Sequence, residues 1–276
     1  MNFIREPAVS GMFYSNNPKT LSRDIEQYLD EASVEPVRGD IIGIISPHAG
    51  YMYSGPVAAH GYKAIMNKVY DTVIIIAPSH KMYFEGVAIM SEGSYKTPFG
   101  NVPIDKDVAQ RLLTMGGVIK QNIEAHRGEH SLEVQLPFLQ FVLKDFQIIP
   151  LIMGNQALNV CEILSESLYK ALMNEKRRFL VVGSTDLSHY YPYMEAIKLD
   201  GVIVHHIQNF DINNLIKDLE REKCEACGAG PMVTTMMVSK RLGATKSRVL
   251  KYANSGDISG DRSGVVGYVS SIFYRE

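Results

Sequence analysis

Four short apolar runs, each rich in β-branched residues and each followed by Ser, Pro, Gly or His, constrain this fold most strongly. They cover 41–46 (IIGIIS), 72–77 (TVIIIA), 146–153 (FQIIPLIM) and 178–183 (RFLVVG). Residues 146–153 and 178–183 read as strands, 41–46 is a short apolar run ending at a Gly/Pro-punctuated loop, and 72–77, β-branched and too short for a buried helix, is typical of an interior parallel strand. Between them lie stretches of helical spacing. Residues 18–32 set Leu21, Ile25 and Leu29 on one face, and 57–66, 105–113 and 159–173 follow, with Asp105 placed as an N-cap. Residues 131–143 also read as a helix, with Pro137 as a kink or early break. Helices over 194–209, 212–222 and 231–242 and strands over 87–90, 248–253 and 265–273 complete the pattern.

Strand and helix alternate throughout, which predicts an α/β fold. The 276 residues, 46% of them hydrophobic, can bury a full core. No repeat, low-complexity tract or Pro/Gly/Ser-rich linker marks a boundary, so residues 1–276 are expected to form a single domain. A net charge of -2 and a pI near 6.5 argue against a nucleic-acid partner, which calls for a concentrated basic patch. No run approaches a membrane span or a signal peptide. Cys161, Cys224 and Cys227 are too few for a disulfide framework, and the expected location is the cytoplasm.

The chemistry concentrates just beyond the strands. In an open α/β sheet, ligands bind in the crevice at the carboxyl ends of the strands. Ser46-Pro47-His48-Ala49-Gly50 and Pro78-Ser79-His80 place a histidine there in matched contexts, one strand–helix–strand interval apart. Imidazole is the commonest ligand of zinc, copper, iron and nickel, so His48 and His80 are candidate metal ligands. The alternative is that each caps a strand end and bonds to a loop carbonyl.

Cys227 precedes Gly228-Ala229-Gly230-Pro231 and a helical run, and a thiol at a helix N-terminus is favoured as thiolate. Cys224 completes a Cys-x-x-Cys, but no second pair exists to make a zinc site of it. Asp186 and His189 follow the 178–183 run and suit supplementary ligation or acid/base work. His130 opens the 131–143 segment, where a neutral ring is favoured, and the flanking Glu129 and Glu133 suit either capping or function. Tyr51, Tyr53, Tyr190 and Tyr191 flank these residues and are placed to line a substrate pocket. His60, His126, His205 and His206 have no comparable setting. Residues 256–264 lack the Gly-Lys-Ser/Thr of a P-loop and read as a mobile loop.

Five segments taken together resemble the Memo family. They are Pro7-Ala8-Val9-Ser10-Gly11-Met12-Phe13-Tyr14, Ser46 to Tyr51 (SPHAGY), Ala77-Pro78-Ser79-His80, Glu129 to Phe138 (EHSLEVQLPF) and Ser184 to Tyr190 (STDLSHY). The resemblance runs from about Pro7 to Tyr274. It implies the fold of class III extradiol dioxygenases (LigB-like): one three-layer α/β domain, a mixed central sheet with helices on both faces, and non-haem iron at the strand ends.

Carried over by residue, the resemblance makes His48 and His80 metal ligands, His189 the acid/base and His130 a pocket histidine. Cys227 falls where those dioxygenases bind metal with glutamate. Thiolate keeps the single negative charge, but sulfur is softer and oxidisable, so it favours copper or zinc more than a carboxylate does. Two functions follow. One is a metal-dependent oxidoreductase, with Fe(II) first and Cu or Zn as alternatives, acting on a small aromatic substrate. The other is a non-catalytic protein that captures a peptide or handles metal in the same cleft. Prokaryotic relatives further imply radical-SAM and AMMECR-type proteins as partners.

Overall fold

The structure, a computed structural model, describes residues 3–276. Its strands are β1 (Ile4–Arg5), β2 (Asp40–Ser46), β3 (Thr72–Pro78), β4 (Val87–Ile89), β5 (Ser94–Thr97), β6 (Gly100–Pro103), β7 (Ile119–Gln121), β8 (Gln147–Met153), β9 (Phe179–Ser184), β10 (His189–Tyr191), β11 (Lys246–Asn254) and β12 (Val265–Arg275). Its helices are α1 (Pro18–Glu31), α2 (Tyr51–Ile65), α3 (Lys106–Met115), α4 (Glu124–Arg127), α5 (Gln135–Val142), α6 (Leu158–Leu172), α7 (Tyr193–Gln208), α8 (Ile212–Glu220), α9 (Ala229–Arg241) and α10 (Ser255–Ser259).

The four apolar runs form the centre of the main sheet, whose order is β10-β12-β2-β9-β3-β8-β4-β7 with β11 paired to β12. The contiguous strands β2, β9, β3 and β8 are mutually parallel. On either side β12 runs antiparallel to β2, and β4 antiparallel to β8. The sheet is therefore mixed. β3 is buried along its whole length, as expected of a strand covered on both faces.

Close backbone approach marks the two helical layers. A Cβ on Gly61 of α2 would lie 2.7 Å from Ser270 Oγ of β12, and one on Gly183 of β9 would lie 2.6 Å from Thr235 Oγ1 of α9. Phe273 is opposite Gly43, which also faces Thr235, so Ser270, three residues earlier, points to the other face. Thus α2 and α9 cover opposite faces, giving one three-layer α/β domain. No helix among the described residues is long and apolar enough to cross a membrane.

Local differences from the sequence expectation have physical causes. Helix α2 begins at Tyr51, not residue 57, and contains Pro56, because Tyr51, Ser54, Val57, Ala58, Ala59 and Tyr62 share buried positions that outweigh the lost amide. Helix α5 begins at Gln135, so Pro137 lies in its first turn, where it breaks nothing, and 131–134 is a turn. Residues 255–259, overlapping the start of the segment read as mobile, form a capped turn in which Asn254 and Asp257 satisfy each other's backbone. The small sheet β1-β5-β6 went unpredicted, since its strands are too short to show a period.

Two predictions follow from packing. Gly183→Ala is expected to destabilise the fold by ~1–3 kcal/mol through overpacking against Thr235, measured by denaturant unfolding. His126 is buried beside Tyr95, with 2.6 Å between the hydroxyl and Nδ1, and burial with the nearby Arg5 charge lowers its pKa to about 3. The unfolded ring takes a proton below about 6.5 while the folded ring refuses one until about 3. Stability should therefore be intact above that window and fall with acid inside it. The wild-type slope should exceed that of His126→Gln by up to ~1.4 kcal/mol per pH unit, and equal slopes would contradict this.

Candidate metal centre

The carboxyl ends of β2, β9 and β3 are in register: Ser46 is opposite Ser184, and Ile76 is opposite Gly183. Because β9 lies between β2 and β3, the loops bearing His48, Asp186 and His80 emerge side by side. The irregular segment between α4 and α5 brings Glu129 and His130 to the same crevice, and the loop before α9 brings Cys227. A Cβ on Gly228 would lie 2.3 Å from the Ser184 carbonyl, so only glycine lets the chain pass there.

One nitrogen each from His48, His80 and His130 can be chosen so that all three lie within 4.8 Å of one another. The His48 ring is 5.1 Å from that of His80 and 5.5 Å from that of His130, and the last two are 4.6 Å apart. Hydrogen bonding orients His48. Ser184 Oγ donates to the Ser131 carbonyl (2.7 Å) and accepts from Gln135 Nε2 (2.8 Å). Its one proton is thereby used, so His48 Nδ1, 2.9 Å away, is the donor to it. His48 Nε2 is left with its lone pair on the Cys227 side, 3.1 Å from Sγ. Burial, reinforced by the neighbouring imidazoles, lowers the His48 pKa well below its usual range. Burial likewise lowers His130 to about 4. Neutral rings with free lone pairs are the metal-binding form.

Glu129 is almost wholly buried. Its Oε2 accepts from the His80 amide (2.5 Å), and its Oε1 lies 2.9 Å from His80 Nδ1 and accepts from the Ser131 amide (3.0 Å). Burial acts to raise its pKa, but these hydrogen bonds outweigh that and lower it to about 2.

Cys227 is braced on every side. Its amide donates to the Asp186 carbonyl (3.2 Å), and the Asp186 amide donates to its Sγ (3.3 Å). Gln156 clamps the same turn, donating to the Cys227 carbonyl (2.9 Å) and accepting from the Gly230 amide (2.8 Å). The expected thiolate is corrected here: burial and the adjacent Asp186 push the thiol pKa up, outweighing the helix terminus. All three cysteines are free. Asp186 Oδ1 accepts from the His48 amide (2.8 Å), and burial raises its carboxyl to about 7.

His189 lies at the start of β10 rather than in a loop, and its amide donates to Glu225 (3.2 Å). Burial lowers its pKa below the usual histidine range. Tyr190 is 78% exposed at φ +65°, with its ring 5.8 Å from that of His189. Tyr51, expected at the pocket wall, is a correction. It is 4% exposed, packs on Phe138 and donates to the Val134 carbonyl (2.7 Å), so its hydroxyl is not available to a substrate.

The crevice thus gathers His48, His80, His130, Cys227 and Asp186, with His189 and Tyr190 at its edge. Three imidazoles, a thiol and a carboxylate form a donor set suited to a divalent transition metal rather than calcium or magnesium. Four supporting residues were not identified from sequence: Arg5, Ser184, Gln135 and Gln156. Glu129 adjoins His130, the one signal available for it, yet its partner is the distant His80.

The family profile described as Memo-like protein matches residues 5–272. A MEMO1 family protein of Methanobrevibacter smithii is 37% identical over 280 residues, covering 98% of this chain and 99% of that protein. Others from Methanopyrus kandleri and Sulfolobus acidocaldarius are 38% and 39% identical, each with 98% of this chain and 99% of the relative covered. By profile and by these near full-length matches, the chain belongs to the Memo family.

Proposed function

We propose that this protein binds a redox-active transition metal at the strand ends and uses it in an oxidoreductase reaction on a small aromatic substrate. The observation behind the proposal is the set of three imidazoles with nitrogens within 4.8 Å of one another, with the Cys227 thiol beside His48. His48 and His80 would hold the metal, with Cys227 and His130 as further donors. Fe(II) is the first candidate, and the thiol makes Cu or Zn the alternatives. When bound, such an ion supplies Lewis acidity and, for iron or copper, electron transfer.

The chain's own groups do the rest. His189, neutral at the crevice edge, is placed to take or return a substrate proton. Asp186 holds the His48 loop by its amide. The Phe13 ring, 5.0 Å from that of His130, and the exposed Tyr190 offer aromatic walls. A second reading, metal handling without turnover, is favoured by one observation: the third strong donor is an oxidisable thiol, an unfavourable partner for oxygen chemistry.

Anaerobic loading with Fe(II), Cu(I) and Zn, followed by metal quantification, is expected to give one ion per chain. His48→Ala and His80→Ala should each abolish stoichiometric retention, whereas retention unaffected by both would end the metal proposal. Cys227→Ser should weaken Cu(I) more than Fe(II), since it removes the soft donor. Oxygen uptake with a catechol panel then separates the readings. Metal retained without oxygen consumption would reject the oxygenase and leave metal handling.

A further inference from the structure

Glu129 stands apart from the candidate donors, yet its carboxylate meets His80 and His130 and accepts two backbone amides. One oxygen, Oε1, lies 2.9 Å from Nδ1 of His80 and 3.3 Å from Nδ1 of His130. The other, Oε2, accepts the backbone N–H of His80 itself. The carboxylate thus grips His80 at both its amide and its ring, which fixes the ring's rotation as well as its position.

We propose that Glu129 is a positioning residue of this centre, holding His80 as the Nδ1–H tautomer so that its Nε2 lone pair is presented to the crevice. The donors around it require this. The amides of His80 and Ser131 can only donate, and together they occupy both oxygens of the group as an anion. An anionic oxygen facing Nδ1 must find a proton there, and a neutral imidazole with Nδ1 protonated has Nε2 free. His130 sits against the same oxygen, so one buried carboxylate sets the electrostatics of two rings.

The main chain keeps this geometry from relaxing. Arg5 Nη2 donates to the Glu129 carbonyl (2.6 Å), and Arg5 Nε donates to the His126 carbonyl (2.8 Å). The backbone bearing the carboxylate is therefore held from below while its side chain orients the rings above. His48 reaches the same tautomer by a different route, through Ser184 and Gln135. Two unrelated supports with one outcome, a committed Nδ1–H, are what a centre bound through Nε2 requires. The tautomer stands on hydrogen bonding alone, and only its consequence for affinity rests on the metal proposal above.

Long-range 15N–1H correlation spectra of the ring nitrogens in the metal-free wild type test the first half. His80 is expected as Nδ1–H, and observation of Nε2–H would overturn the proposal without any variant. In Glu129→Gln, the amide nitrogen can donate to Nδ1, so His80 is expected to switch to Nε2–H, and retention of Nδ1–H would equally overturn it. Zn affinity by competition with a chromogenic chelator should fall by ~10–100-fold in Glu129→Gln and recover in part in Glu129→Asp. Affinity unchanged in Glu129→Gln, while His80→Ala abolishes binding, would reject the positioning role. Failure of the wild type to bind Zn would reject the metal proposal while leaving the tautomer result to judge Glu129.

Discussion

The candidate centre depends on a charge pair buried beneath it. Arg5 and Glu133 are both inaccessible to solvent and form a salt bridge, and each makes further hydrogen bonds. Arg5 also holds the carbonyls of His126 and Glu129. Glu133 accepts the amides of Ala8 (2.7 Å) and Val9 (3.2 Å) and the Tyr14 hydroxyl (2.5 Å). Burying two charges is costly, and hydrogen bonds of this kind to both partners are what make such a pair tolerable. In return the N-terminal segment is locked to the irregular stretch from α4 to α5. That stretch has no strand or long helix to define it, yet it bears Glu129 and His130.

Above this base, the site combines a rigid half and a braced half. His48, Asp186 and His80 come from neighbouring parallel strands whose register is set by continuous backbone pairing. Cys227 comes from a loop and is held by hydrogen bonds from Asp186 and Gln156. Asp200 adds a further tie: it accepts the Ser188 amide (2.9 Å) and the Tyr252 hydroxyl (2.7 Å), fixing the chain between Asp186 and His189. Preorganisation is thus distributed over at least five elements, and burial lowers the pKa of His48, His130 and His189 despite the carboxylates nearby.

Much of the fold was legible because its signals are local. Unbroken β-branched runs such as TVIIIA can be little else than interior strands, and the spacing of Leu21, Ile25 and Leu29 defines a buried helix face. The histidines at the ends of two such runs pointed to a shared crevice. What escaped were features decided at a distance. Tyr51 looked like a rim residue because it follows His48, but helix α2 turns it inward onto Phe138. Cys227 looked like a thiolate because it precedes a helix, but the desolvation that raises its pKa comes from packing against β9's loop. The short strands β1, β5 and β6 have no period to detect.

The sequence by itself determined the α/β class, the strands that form the sheet's centre and the histidine, cysteine and acid that end up in one crevice, since each follows from a run or spacing within a few residues. Only the tertiary structure decided that β9 enters between β2 and β3, which sets Asp186 between the two histidine loops. It also decided that Glu129 orients His80, forty-nine positions away in the chain. Strand order and buried side-chain pairing are selected by the summed packing of the whole core, and no local pattern records that sum.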